Sequence, residues 1–165
     1  MKARRCGGLR QSTGGFFRPR HLPGAAAALG LGLASVTMAA AEAGRIQACP
    51  ATPNCVSSSS RSDSHYVRAF SFEGDPDAAW ARLKQAVQGE PGLAVVEDSS
   101  VDRYLRLKAT SRVFRFVDDV EFQLLPASKM IAVRSASRVG YWDFGVNGRR
   151  VERLRERFNA SGEAR

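Results

Sequence analysis

The stretch VFRFVDDVEFQLLPASKMIAVRSASRV occupies residues 113–139, and its parity decides the fold. From Val113 to Leu125, Phe114, Phe116, Val120, Phe122 and Leu124 fall on even numbers, while Arg115, Asp119, Glu121 and Gln123 fall on odd ones. A period of two marks a strand with one face turned to a core. Pro126-Ala127-Ser128-Lys129 interrupts the pattern and Met130–Val139 resumes it, so the spacing predicts a hairpin.

Aligning the apolar faces sets Leu124 opposite Ile131, Phe122 opposite Val133, Val120 opposite Ser135 and Asp118 opposite Ser137. A slip by one residue would turn the whole apolar set outward, so parity fixes the register. Asp118 goes inward with Phe116 and Phe122, where a lone carboxylate is costly unless paired or protonated. The register predicts Asp118 within hydrogen-bond reach of Ser135 or Ser137. On the outer face it predicts an exposed Glu121–Arg134 pair.

The flanks complete the architecture. Upstream, His65–Phe72 reads as a strand with Tyr66, Phe70 and Phe72 on one face. Asp75 is placed to cap a helix with Pro76 at its first position and Trp80, Leu83 and Val87 along one stripe, stopped by Gly89 and Pro91. Leu93–Glu97 is a short strand. Arg103–Thr110 alternates, with Leu105, Leu107 and Ala109 inward and Tyr104, Arg106 and Lys108 outward. Downstream, a helix from Asn147, read as its cap, to Phe158 carries Val151, Leu154 and Phe158 on its apolar stripe. Its Arg149, Arg150, Arg153, Arg155 and Arg157, with Glu152 and Glu156, read as a solvated, salt-bridged face. The order β-α-β-β-β-β-α predicts one small α+β domain over 65–158, a mostly antiparallel sheet packed against two helices, with a disordered tail at 159–165.

The first 43 residues read differently. Met1–His21 is basic and holds no acid, Leu22–Ala41 is apolar, and small residues recur at Ala39, Ala41 and Ala43. That order is the pattern of a targeting leader cut near Ala41 or Ala43. It predicts export, to a plastid thylakoid lumen or a bacterial periplasm, or a membrane anchor where the leader is retained. The leader holds six of the 25 basic residues and one of the 16 acids, so 44–165 carries a net +4 against +9 for the whole chain. A modest, leader-weighted charge gives no ground for a nucleic-acid partner.

Cys6 belongs to the leader. Cys49 and Cys55, in the Ser-rich lead-in 44–64, most simply form one disulfide in an exported chain, worth roughly 2 kcal/mol for so short a loop. Two thiolates with His65 fall short of a four-ligand metal site, so neither metal nor cofactor is expected.

Two constellations invite a functional reading. The first is a polar pocket of Asp118, Asp119, Ser135, Ser137, Arg134 and Arg138. It reads either as hydrogen bonding that fixes a bend or as a ligand or catalytic pocket, with His65 as a further candidate. A nucleophile elbow Gly-x-Ser-x-Gly is missing from the sequence, and Ser135 sits in mid-strand. The second is the run Tyr141, Trp142 and Phe144 before the last helix. It reads either as a loop folded over the core edge or as a binding lip.

Three segments together, CPATPNCVSS at 49–58, FVDDVEF at 116–122 and RSASRVGY at 134–141 continuing to Gly145-Val146-Asn147, closely resemble the domain-of-unknown-function family numbered 1499. The resemblance covers 49–158 and departs at Trp142, where a small residue is commoner, and at Gly148, where a basic one is. It implies a fold and a compartment but no reaction.

Three functions follow as expectations: a non-catalytic accessory or binding domain outside the cytosol, a small hydrolase using Asp118 and Asp119 with an Arg134 or Arg138 clamp, or a peripheral membrane module. The partner could be a protein or a small molecule, membrane contact stays open, and the oligomeric state is not legible from the sequence.

Overall fold

A computed structural model of the chain describes residues 44–111 and 115–163. The expected leader, its cleavage sites, Cys6, Val113 and Phe114 lie outside them. The hairpin forms as β5 (Val117–Leu125) and β6 (Met130–Ser137), in the register that pairs Leu124 with Ile131, Phe122 with Val133, Val120 with Ser135 and Asp118 with Ser137. β4 (Tyr104–Thr110) pairs with β5, and β3 (Leu93–Ser99) forms the far edge. That edge is broken by a bulge at Val96, a device that discourages further strand pairing.

On the other side of β6 lie two short strands, β1 (Cys55–Ser57) and β2 (Phe70–Ser71). The sheet is six-stranded, in the order β1-β6-β5-β4-β3 with β2 also on β6, and the fold is α+β. β1 is an addition to the expected order. The Ser-rich lead-in is correspondingly fastened to the sheet: Ser57 donates to Gln47 O at 2.7 Å, Ser58 Oγ accepts from Val133 N at 3.0 Å, and Ser60 Oγ accepts from Cys49 N at 2.9 Å. The expected strand over 65–72 shrinks to β2 and an isolated bridge from Tyr66 to Ser57, and Tyr66 is exposed while Phe70 and Phe72 are buried.

One face of the sheet is covered by α1 (Pro76–Gln88) and α2 (Val146–Glu163). Asp75 caps α1, its carboxylate accepting from the amides of Asp77 and Ala78 at 3.3 and 3.1 Å. Trp80, Leu83 and Val87 are buried on its inner stripe, as are Val151, Leu154 and Phe158 of α2. Between them stand Leu105, Leu107, Val120, Phe122, Ile131 and Val133 from the strands. α2 continues to Glu163, five residues past Phe158, so most of 159–165 is helical and not a disordered tail.

The outer face is partly covered too, which the alternation of β4 did not foresee. A strap over 44–49 crosses it. Ile46 packs on Tyr104 and Ala132, Arg45 N bonds the Gln123 side chain, and the Arg45 guanidinium sits 3.8 Å from the Tyr104 ring centre. Tyr104 is therefore buried although its parity is outward. The strap is tied down where the Cys49–Cys55 disulfide joins it to β1, with Cα atoms 5.7 Å apart. Among the described residues, no helix is long and apolar enough to cross a membrane.

Candidate functional site

The six polar candidates do not form one pocket. They divide across the sheet because successive residues of a strand face opposite ways. Asp118, Ser135 and Ser137 lie on the helix face. Asp119, Arg134 and Arg138 lie on the other, where Asp119 makes a two-pronged ion pair with Arg138, both contacts 2.8 Å long. This pairing raises the Arg138 pKa further above its ordinary value. A hydrolytic site joining Asp118, Asp119 and an Arg134 or Arg138 clamp is not assembled. His65 is engaged elsewhere, its Nδ1 at 3.0 Å from Cys55 O. Among the described residues, no three of His, Cys, Asp and Glu converge as metal ligands would.

Glu121 and Arg134 do meet, at 3.1 Å, but not as an exposed pair. Each side chain is about one-fifth accessible, and the Tyr104 hydroxyl donates to the other Glu121 oxygen at 2.8 Å. Burial and this bond to Glu121 raise the Tyr104 pKa well above its ordinary value of about 10. The folded chain thus keeps a proton that the unfolded chain releases near pH 10. Its contribution is complete below that pH and is lost as the pH rises beyond it. Thermal unfolding at pH 9 and pH 11 should show a fall in stability for the wild type that Tyr104→Phe reduces.

On the helix face, Asp118 bonds neither serine. Its Oδ2 accepts from Arg150 Nη2 at 2.6 Å, and both side chains are over nine-tenths buried. Arg150 is thus a core residue and not part of a solvated face. Its Nη1 donates to Ser135 Oγ at 3.0 Å and to Asn147 Oδ1 at 2.7 Å. Asn147 is fully buried inside the first turn of α2 and is not its cap. Its Oδ1 also accepts from Ser135 Oγ at 2.6 Å, and its Nδ2 donates to Ser137 Oγ and to Asn54 O, both at 3.0 Å. A primary amide has two donors and two acceptor lone pairs, so Asn147 is saturated. The entrance to α2 is held instead by Asp143, whose carboxylate accepts from the amides of Gly145 and Asn147 at 2.9 and 3.0 Å.

Asn147 and Arg150 were legible only in hindsight. With Val151, Leu154 and Phe158 they fall at i, i+3, i+4, i+7 and i+11, so two polar residues stand on the apolar stripe itself. That is the signal for a buried polar pair on a helix.

This network pins both ends of the loop after β6. At the start, Asn54 Nδ2 donates to Gly140 O at 2.5 Å; at the end stand Asp143 and Asn147, and Arg149 Nη1 donates to Phe144 O at 2.9 Å. The aromatic side chains between these pins are not folded over the core. Tyr141, Trp142 and Phe144 are 59, 63 and 85% exposed, with the first two rings edge-on at 5.4 Å. Phe144 has φ +52°, a left-handed conformation costly for a bulky residue. Exposed Val139 begins the loop, and Phe116, exposed and ahead of β5 instead of inside it, lies at the same end, where Arg138 N donates to Val117 O.

A cleft of about 420 Å³ opens beside the loop, between the start of α2 and the Glu90–Leu93 turn. Val146, Leu93 and Ala109 give it apolar walls, and Arg150, Arg153 and Arg157 basic ones. Buried Glu90 accepts from Arg153 at 2.9 Å and Arg157 at 3.2 Å. A larger hollow of about 590 Å³, between Ser100–Arg103 and Gln123–Pro126, lies at the opposite end of the sheet and gathers no comparable set of charges.

The three segments that signalled a family meet at this network, through Asn54, Asp118, Ser135, Ser137 and Asn147. The sequence pattern of the family described as Protein of unknown function (DUF1499) matches residues 45–158. The chain belongs to the DUF1499 family. No curated protein and no solved structure was found to match it. The matched span of this DUF1499 chain takes in the strap, the sheet, the buried network and the aromatic loop, and stops at Phe158, the last apolar contact of α2.

Proposed function

We propose that this chain is a non-catalytic binding domain that acts outside the cytosol and docks through the loop Val139–Val146. The observation that carries this reading is the combination of exposure and constraint. A loop with three exposed aromatic rings is fastened at both ends to a saturated, buried polar network and holds Phe144 in a strained conformation. Backbone strain at an exposed aromatic persists only where the surroundings impose it, and such sites cluster at binding surfaces. Aromatics carried on a pre-ordered backbone make efficient anchors, because little loop freedom remains to be lost on contact.

The polar residues serve this role as scaffold. The helix-face carboxylate is shut in with Arg150, and the outer-face pairs neutralise each other without a shared cavity. The non-cytosolic setting rests on the leader pattern and on the Cys49–Cys55 bridge, which an oxidising compartment would maintain.

A photo-crosslinking amino acid at Phe144, expressed in the chain's own source cells, should yield a discrete adduct. The same group at Val101, exposed at the opposite end of the sheet, should not. Equal labelling from both positions, or none from either, would contradict the reading.

A further inference from the structure

Resting on that reading, we infer that the aromatic loop and the Arg153–Arg157 cleft form one docking face for a membrane surface rich in anionic phospholipid. Val146 belongs to both, standing at the end of the loop and on the wall of the cleft. The face is therefore amphipathic on the scale of a single lipid, with aromatic rings on one side and guanidinium groups on the other.

The side-chain types suit this occupant. Trp and Tyr settle at the boundary between headgroups and acyl chains, since each has an apolar body and a polar tip. Phe144 and Val139 supply purely apolar surface to enter beneath them.

The charges agree. From Arg138 to Arg150, Arg138 and Arg150 are matched by Asp119 and Asp118, which leaves Arg149, and the acid of the loop, Asp143, is already used by the entrance of α2. Among the described residues, Arg115 and Arg149 have no carboxylate partner within salt-bridge distance. In the cleft, Arg153 and Arg157 share the single carboxylate of Glu90, which leaves one positive charge uncompensated at the mouth. Both guanidinium groups are about half exposed, so a phosphate can reach them without breaking the buried contact to Glu90. A phosphodiester beside an apolar chain meets both halves of the face, whereas an apolar protein patch would leave the arginines unanswered.

The test reads the position of Trp142 itself, so that attachment of the full chain by its leader does not decide the outcome. Fluorescence is recorded on vesicles of phosphatidylglycerol carrying bromine on the acyl chains, which quenches only rings that enter the membrane. The Trp142→Phe chain supplies the background from buried Trp80. Quenching of Trp142 is expected on these vesicles, with little on brominated phosphatidylcholine. Inorganic phosphate at millimolar concentration should leave it unchanged, and an Arg153→Gln/Arg157→Gln chain should need at least roughly tenfold more lipid. The last variant leaves Glu90 without its partners. Should it fail to fold, rising salt gives the same information, because screening must weaken the attraction. Absence of quenching on anionic vesicles, equal quenching on neutral ones, or indifference to both arginines and salt would overturn the inference. A protein adduct at Phe144 in the crosslinking experiment, with no quenching here, would leave the binding domain standing and remove the membrane.

Discussion

Asp118→Ala should lower the free energy of unfolding by about 3–5 kcal/mol. Among the described residues the carboxylate is the one acidic partner of Arg150, and the two are buried together at 2.6 Å. Removing it leaves a guanidinium in the interior facing the neutral acceptors Ser135 and Asn147. A buried charge without its counter-ion costs far more than the pair contributed, because desolvation of the survivor is no longer offset. Asp118→Asn keeps an acceptor oxygen for Arg150 and should lose less, about half as much, since only the charge complement is missing. Urea unfolding of the two variants beside the wild type checks the order. A loss under about 1 kcal/mol for Asp118→Ala would place the residue on the surface and deny it the anchoring role.

Asn147→Ala should cost about 3 kcal/mol, through partners left unmatched more than through lost packing. Its amide makes four hydrogen bonds that tie β6, Asn54 and Arg150 to the first turn of α2. No single neighbour can replace both a two-fold donor and a two-fold acceptor in a site without solvent access. This variant should also show a second effect that an ordinary core substitution lacks. With the end of the loop released, Trp142 should gain mobility, read as a drop in its fluorescence anisotropy in the folded chain well below the unfolding midpoint. Leu83→Ala, on the inner stripe of α1 in the core between the helices and the sheet, should lower stability comparably and leave that anisotropy unchanged.

Parity explains why the centre of the fold was legible. Val120, Phe122 and Leu124 against Ile131 and Val133 admit one register only, and every cross-strand pair between Asp118 and Leu125 follows from it. The same argument fails at its ends. Phe116 continues the even series, yet Arg115 turns to φ +55° and the strand begins one residue after Phe116, leaving its ring outside. Alternation also carries no knowledge of a third layer. Tyr104 reads as outward and is outward, but the strap with Ile46 comes from 58 residues earlier and buries it.

The candidate site divides along similar lines. The sequence places Asp118 inward and cannot say what meets it there, because Arg150 arrives from the far end of the chain on a helix. A helix rich in arginine reads by frequency as solvated. Only the position of Asn147 and Arg150 on the stripe of Val151, Leu154 and Phe158 marks them as different. The aromatic run was visible as a run, and its exposure was not, since exposure depends on whether the core has room for three rings. Here the core at the loop's end of β6 is taken up by the buried network of Asp118, Ser135, Asn147 and Arg150.

The central claim is that the buried network holds an exposed loop in order. Amide hydrogen exchange of Gly145, Val146 and Asn147 addresses it directly, since their N–H groups donate to Asp143 at 2.9–3.0 Å. In the wild type these amides should exchange at least about a hundredfold more slowly than in an unstructured peptide, despite lying beside an 85%-exposed Phe144. In Asn147→Ala the protection of Gly145 and Val146 should fall toward the unstructured rate while the amides of β4 and β5 remain slow. Unprotected loop amides in the wild type, or protection that survives Asn147→Ala, would contradict the claim.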